Sequence, residues 1–430
     1  MKTVFVLVLA LALWGCKGSS NDPPPPAQPV LRSTSAVLPS TITVSRPEQL
    51  PATLPAQFVP VGKPGEYKPN LVQLPSGELL LALFRGDVSA EGYTESPMLY
   101  RSLDGGKTWD NGTVLPYAGR EPYFTLTSKG VLFLTVQIMP KDHRNTTGHS
   151  TAAVLRSTDW GYTWSATYVT AADVPGGSPS WGTFVSRTIH ERSSGDLLMG
   201  VSNAWANYLW RSKDQGVTWV EKTPVHAPRV AYHDGHMFFD ELVFYQPLDD
   251  PNTLLAFGRV MACTLTPAFA GTTCPPLAGY VDTSDVMVLY RSGDGGITWG
   301  LVHALGDAYG QMYPSLTTLQ DGRMLFTFTQ RSCSPNSVEV CGDKIGVEVA
   351  PAELTRFGVG SRVDGVGFTV DFAQDRVHVM PPIPSNYPLS GGFGNTIQTY
   401  GGTLVTAYSY RAADGTLRSQ VTRWSLPERT

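Results

Sequence analysis

The chain has 430 residues, 42% of them hydrophobic, with a formal net charge of −4 and a pI near 6.1. That length and apolar fraction suffice for a large core, and all-β folds of this size often form one domain. The sequence contains no basic block, which argues against nucleic acid as a partner.

The N-terminus reads as a targeting segment. Lys2 precedes an apolar run from Val4 to Trp14 that is too short to cross a bilayer as a permanent helix. It ends in Leu13-Trp14-Gly15-Cys16, which resembles a bacterial lipobox. The resemblance implies a lipoprotein signal peptide over residues 1–15, cleavage before Cys16 and acylation of the Cys16 sulfur. The product would be held in the bacterial cell envelope, on the periplasmic or cell-surface side, and would touch the membrane through its lipid alone. The other reading is an ordinary signal peptide with a chance cysteine. Residues 16–56 are rich in Gly, Ser and Pro, with Pro23-Pro24-Pro25-Pro26 among them, and read as a semi-rigid extended tether. Residues 57–430 form the folded domain.

A strand–turn–strand pattern then recurs six times. Tyr67-Lys68-Pro69-Asn70-Leu71 runs through the turn Pro75-Ser76-Gly77 to Leu79-Leu80-Leu81. The pattern returns at Arg120-Glu121-Pro122, Ser186-Arg187-Thr188, Asp240-Glu241-Leu242, Met312-Tyr313-Pro314 and Phe393-Gly394-Asn395, each followed by a turn and a second apolar run. Four of these hairpins precede a common frame, Arg-Ser-x-Asp-x-Gly-x-Thr-Trp, with its aspartate at Asp104, Asp159, Asp214 and Asp294. Asp104 to Asp159 and Asp159 to Asp214 are each 55 residues, a period that signals a propeller or solenoid. Apolar runs such as Met98-Leu99-Tyr100 enter the frame, which places it on a β-hairpin. Asp accepts hydrogen bonds from the turn's own amides, and Gly supplies a positive φ that a Cβ would penalise. The Trp folds over the hairpin.

This frame resembles the Asp-box, or bacterial neuraminidase repeat, of sialidase-type β-propellers. The resemblance implies an all-β fold: a six-bladed, sialidase-like β-propeller of four-stranded antiparallel blades, with the boxes on outer strands away from the active site. Almost no helix is expected, and the final run from Arg418 to Leu426 should supply a closing outer strand. Four cysteines remain besides Cys16. They allow three connectivities, of which two local pairs, Cys263 with Cys274 and Cys333 with Cys341, are the economical choice.

In a propeller, a polar residue at the mouth end of each innermost strand points toward the central axis. Here the candidates are Lys68, Arg120 with Glu121, Arg187, Asp240 with Glu241, Tyr313 and Asn395, a set more charged than packing demands. The sialidase resemblance sorts them further. Lys68, in Tyr67-Lys68-Pro69, stands where the family's Tyr-Arg-Ile-Pro carries a carboxylate-binding arginine. It keeps the charge and loses the bidentate fork. Arg85 matches the arginine after the return strand, and Asp87 or Glu91 stands for the acid. Glu241 and Arg259 match the glutamate that activates the nucleophile and the second substrate-binding arginine.

The family's nucleophilic tyrosine begins the sixth inner strand, where this chain has Phe393-Gly394-Asn395. Tyr313, in Tyr-Pro-Ser-Leu, has the right local look one blade earlier. Arg331 and Arg411 are candidates for a third arginine. The resemblance implies that Tyr313, aided by Glu241, attacks the anomeric carbon while Asp87 or Glu91 protonates the leaving oxygen. Lys68, Arg259 and Arg120 or Arg187 would hold an anionic group on the sugar, with Arg85 and Asp240 completing the substrate contacts. The implied function is an exported, lipid-anchored glycoside hydrolase acting on terminal sialic or other acidic sugars of glycans. The alternative is a non-catalytic glycan-binding propeller with a degenerate site. Neither metal nor cofactor is called for, and the chain should be a monomer.

Overall fold

The computed structural model describes residues 40–204, 206–226, 239–246, 252–261, 285–304, 311–330, 344–350, 375–380, 392–412 and 414–427. Among these residues every regular element is a strand, apart from one short 3-10 turn at Ala171–Asp173. The second strand of each hairpin is the most apolar. In Leu79–Ser89, the run from Leu79 to Phe84 is wholly buried, because the strand packs between neighbouring sheets on both faces.

Four sheets follow one another along the chain, each a four-strand antiparallel meander. The first holds Glu66–Gln73, Leu79–Ser89, Gly92–Ser102 and Thr113–Val114, and the second Arg120–Leu126, Leu132–Ile138, Thr151–Ser157 and Ser165–Val169. The third is Leu197–Asn203, Ala206–Ser212 and Glu221–Pro224, with an inner strand split into Thr183–Val185 and His190–Glu191. The fourth is Val243–Tyr245, Leu254–Met261, Asp285–Ser292 and Gly300–Ala304.

A nine-stranded sheet completes the set. It contains two four-strand runs: Gln311–Thr318 to Arg376–His378, and Thr396–Gln398, Leu404–Arg411, Leu417–Trp424 and Thr53–Val61. Ser40–Ser45 joins them by pairing with both Arg376–His378 and Thr53–Val61. The architecture is thus all-β and propeller-like, with four-stranded antiparallel units.

Two expectations change here. The tether does not run to residue 56, because Ser40–Ser45 and Thr53–Val61 are strands that bury Ile42, Val44, Leu54 and Ala56. Its composition hid a short alternation, Ile42-Thr43-Val44, of the kind that covers a sheet edge. Nor is the C-terminal run outermost. Leu417–Trp424 is a third strand, and the N-terminal Thr53–Val61 pairs outside it, Ala56 opposite Trp424 and Val61 opposite Ser419. Closure by the two ends of the chain leaves that unit with no orphan strand.

Apolar clusters fill the space between successive units. Leu80, Leu99, Phe124 and Leu134 join the first sheet to the second, and Val61, Leu81, Val405 and Val421 join the first to the last run. Polar clasps span the same seams along the inner strands, where backbone amides would otherwise lack partners. Asn70 Oδ1 accepts from Phe124 N (2.9 Å), Thr125 Oγ1 from Ile189 N (3.0 Å) and Thr188 Oγ1 from Phe244 N (2.8 Å). At the closing seam Asn395 Oδ1 accepts from Leu71 N (2.7 Å) and its Nδ2 donates to Leu71 O (2.9 Å). Asn395 is therefore a clasp and not a mouth residue.

The four repeated turns share one hydrogen-bond pattern. Asp104 Oδ1 accepts from Lys107 N (3.0 Å) and Thr108 N (2.9 Å), and Oδ2 accepts from Thr108 Oγ1 (2.7 Å). The Thr-to-Asp pair recurs at Asp159, Asp214 and Asp294. Both central residues are left-handed: Gly105 and Gly106, Trp160 and Gly161, Gln215 and Gly216, Gly295 and Gly296. The frame's arginine also has a task. Arg101 Nη2 donates to Trp160 O (2.9 Å) and Arg156 Nε to Gln215 O (2.8 Å), each tying one turn to the next sheet's turn. Arg423 Nε continues this outer ring to Gly105 O (2.8 Å).

Candidate functional site

The inner strands carry a second local signature. Lys68, Glu121, Glu241, Tyr313 and Phe393 all have φ between 52° and 58°, although none is glycine. Each stands at the start of an inner strand. At three of them the ladder skips two residues, between Tyr67 and Asn70, Arg120 and Tyr123, and Met312 and Ser315. The skipped pairs are Lys68-Pro69, Glu121-Pro122 and Tyr313-Pro314, and a bulge is a place where proline's missing N–H costs no ladder bond. A left-handed non-glycine residue costs about 1–3 kcal/mol, so its repetition at one position in several sheets shows that the surrounding structure holds that position in place.

These residues meet. Glu121 is paired with Lys68 Nζ and lies 3.3 Å from Arg120 Nε and 3.3 Å from Arg187 Nη2. The same Arg187 Nη2 is 2.9 Å from Glu241 Oε1, and Arg259 Nε is 2.5 Å from Glu241 Oε2. Tyr313 lies against these cations, with Arg187 Cζ 4.7 Å and Arg259 Cζ 5.0 Å from its ring centre. Phe393 stacks on Tyr313 at 4.2 Å, and Lys68 Nζ sits 4.1 Å over the Phe393 ring. One alternating chain of charge thus runs from Lys68 and Arg120 through Glu121, Arg187 and Glu241 to Arg259. Buried charges survive only when matched in this way.

Burial and pairing move the titrations in opposite directions. Burial works to raise the pKa of Glu121, but Lys68, Arg120 and Arg187 overcome it and hold the carboxyl below the usual range. Burial likewise opposes Arg259 and Arg187 at Glu241, and the arginines win. At Asp240 the same two arginines pull downward but are outweighed. Burial first, then the nearby Glu241 and Glu121 charges, push its pKa well above the ordinary carboxylate value. Gln137 Nε2 donates to its Oδ1 at 2.6 Å. Burial brings Lys68 down to about 7 in spite of Glu121.

The sequence matches no family model and no curated protein. Solved structures match it in fold. A protein of unknown function from Dyadobacter fermentans shares 18% identity across 86% of this chain and 98% of its own, with a TM-score of 0.57. The NanB sialidase of Streptococcus pneumoniae shares 13% across 87% of this chain and 71% of its own, with a TM-score of 0.53. A leech intramolecular trans-sialidase shares 13% across 84% and 68%, with a TM-score of 0.54. The fold is sialidase-like. At these identities the likeness is one of architecture and assigns no role to any residue.

Within this sialidase-like fold, Lys68, Arg120, Arg187, Glu241, Arg259 and Tyr313 come together, and Asp240 lies beside Glu241. Asp87 and Glu91 do not join them. Both sit on the exposed hairpin that extends Leu79–Ser89 and Gly92–Ser102, where Asp87 Oδ2 binds Arg85 Nε at 2.7 Å. Arg85 Nη1 also reaches the buried Glu66 at 3.7 Å. Arg411 is turned to Gly415 O. Cys16, Cys263, Cys274, Cys333, Cys341 and Arg331 lie outside the described residues.

Sequence reading passed over the weight of Glu121, which three basic groups share, and over Gln137. It also missed Glu95, buried beside Arg120 Nη1 (3.9 Å), Lys141 Nζ (3.0 Å) and the Tyr93 hydroxyl (3.0 Å). One signal was present for Glu121. Lys68, Glu121 and Tyr313 each precede a proline in the same register of their repeats.

Proposed function

We propose that this chain is an exo-acting glycoside hydrolase on a six-bladed sialidase-like propeller, the nine-stranded sheet counting as two blades bridged by Ser40–Ser45. One arrangement supports this above all: Glu241 and Tyr313, from different sheets, share the same two guanidinium groups, Arg187 and Arg259. Those cations favour the phenolate of Tyr313 as its proton passes to Glu241. The phenolate oxygen bonds to the anomeric carbon as the glycosidic oxygen departs, the use of tyrosine that sets sialidases apart among glycosidases. Asp240 is the carboxyl that burial and its acidic neighbours push well above the ordinary range, and we assign it to protonating the leaving oxygen. Water then attacks the anomeric carbon and gives its proton to the Asp240 carboxylate, while the bond to the Tyr313 oxygen breaks and the proton held by Glu241 returns to that oxygen.

Asp87 and Glu91 are the second choice for the acid, since they stand on an accessible hairpin. Lys68, Arg85, Arg120, Arg187 and Arg259 supply donors to the sugar. The substrate is the end of a glycan, and the solved structures of similar fold include sialidases. Export, acylation of Cys16, attachment to the bacterial envelope, the two local disulfides and a monomeric state belong to the same proposal.

The test is release of fluorophore from a panel of aryl glycosides, sialoside included. Turnover that is lost in both Glu241→Gln and Tyr313→Phe supports the proposal. A folded protein silent across the panel favours the second reading, a glycan-binding propeller. That reading draws on Phe393, which occupies the left-handed position where the family's last inner strand begins.

A further inference from the structure

The cations that a sialidase-type site would turn toward an acidic sugar are each in contact here with a carboxylate of the chain itself, Glu121 and Glu241 being shared among four of them. Glu121 takes Lys68, Arg120 and Arg187. Glu241 takes Arg187 and Arg259. Farther out, Asp87 and Glu66 take Arg85, and Glu95 takes Lys141. These carboxylates come from several strands, so their meeting the cations reflects the arrangement of the mouth and not one local motif.

We infer that Glu121 stands in for a substrate carboxylate at the Lys68–Arg120–Arg187 cluster, and that the mouth therefore takes a neutral sugar. The inference deepens the hydrolase proposal and depends on it only for the reaction, not for the binding. A sugar carboxylate entering this cluster would have to displace Glu121, whose side chain is only 9% exposed. The displaced charge would be left buried without a partner, so the exchange returns little. A neutral polyol needs no exchange. Its hydroxyls both donate and accept, so they can take the remaining guanidinium N–H groups and give protons to the carboxylate lone pairs already in place. Specificity follows from an existing charge that repels the acidic competitor.

Two measurements on the full chain test this. The first is turnover of aryl glycosides in matched pairs that differ only by a carboxylate for a hydroxymethyl group. The neutral member should be preferred, and preference for the acidic member overturns the inference. The second uses acetate as a bare carboxylate probe, read by calorimetry at constant ionic strength. Wild type should show no saturable binding. Glu121→Gln should gain acetate affinity by about tenfold or more, the scale of one charge-assisted hydrogen bond. Glu121→Asp, which keeps the charge, should stay blind to acetate.

Saturable acetate binding by wild type overturns the inference, as does a folded Glu121→Gln that gains none. If Glu121→Gln does not fold, the comparison of wild type with Glu121→Asp still decides, because tight acetate binding by either is incompatible with a self-filled cluster. If no glycoside is turned over, the hydrolase proposal fails while the acetate measurement still judges this one.

Discussion

Asn395 offers the sharpest test of how the ring of sheets is closed. Its amide makes two hydrogen bonds to one backbone residue, accepting from Leu71 N at 2.7 Å and donating to Leu71 O at 2.9 Å. Both partners are buried, and Leu71 is 2% exposed. Asn395→Ala leaves a backbone donor and a backbone acceptor unpaired away from water. Each such orphan costs about 1–3 kcal/mol, so the expected loss is about 2–6 kcal/mol. Against a total stability of about 5–15 kcal/mol that is a large share. Thr125→Val is the internal control. Its hydroxyl serves one amide, Ile189 N at 3.0 Å, and the replacement has the same shape, so about half the loss is expected. Urea unfolding followed by tryptophan fluorescence reads both, with the slope checked to show that the unfolded state is unchanged. If Asn395→Ala loses under about 1 kcal/mol, or no more than Thr125→Val, the seam is held by its apolar packing and the clasp is incidental.

Other outcomes follow from the same geometry. Glu241→Gln and Tyr313→Phe should each lower kcat by about 100-fold or more with the fold intact, as expected for a positioned base and its nucleophile, and full activity in either variant sinks the assignment. Asp240→Asn should remove the proposed proton donor and depress kcat, most for poor leaving groups, whereas Asp87→Asn should change it little; the reverse order would return the acid to the hairpin. Lys68 carries a pH signature, because its pKa is about 7 in the folded protein and about 10.4 when unfolded. Between those values the unfolded chain holds the proton more often, so this group makes stability rise with pH across that window. Lys68→Met should flatten the rise, and an unchanged slope in urea titrations from pH 6 upward would show that another group is responsible. Gly216→Ala should cost about 2–4 kcal/mol, from a left-handed φ of 80° and a Cβ placed 2.4 Å from the Phe133 ring, and near-neutral stability would refute the packing of that turn.

Hairpins, turns and repeat period were legible in the sequence because they depend on neighbours. Asp104 and Thr108 are four residues apart, and the glycine that turns the chain lies between them. The alternation of apolar residues and the turn residues between them therefore located all six inner hairpins and all four repeated turns. That Lys68, Glu121, Glu241 and Tyr313 stand at the starts of their hairpins was legible for the same reason, since each begins a repeat.

Tertiary structure alone decided what those residues do to one another. Lys68 finds Glu121 across 53 residues, Arg187 finds Glu121 across 66, and Asn395 finds Leu71 across 324. No periodicity encodes such distances, and whether a cation ends beside a chain carboxylate or faces solvent depends on how the ring closes. The closing strand itself came from Thr53–Val61, whose first four residues had read as tether. Its strand character becomes favourable only when Leu417–Trp424 offers an open edge and the neighbouring core accepts Leu54 and Ala56. Local pattern sets the units, because turn chemistry and alternation act within a few residues. The charge of the site is set by the assembled ring, because burial and ion pairing act through space.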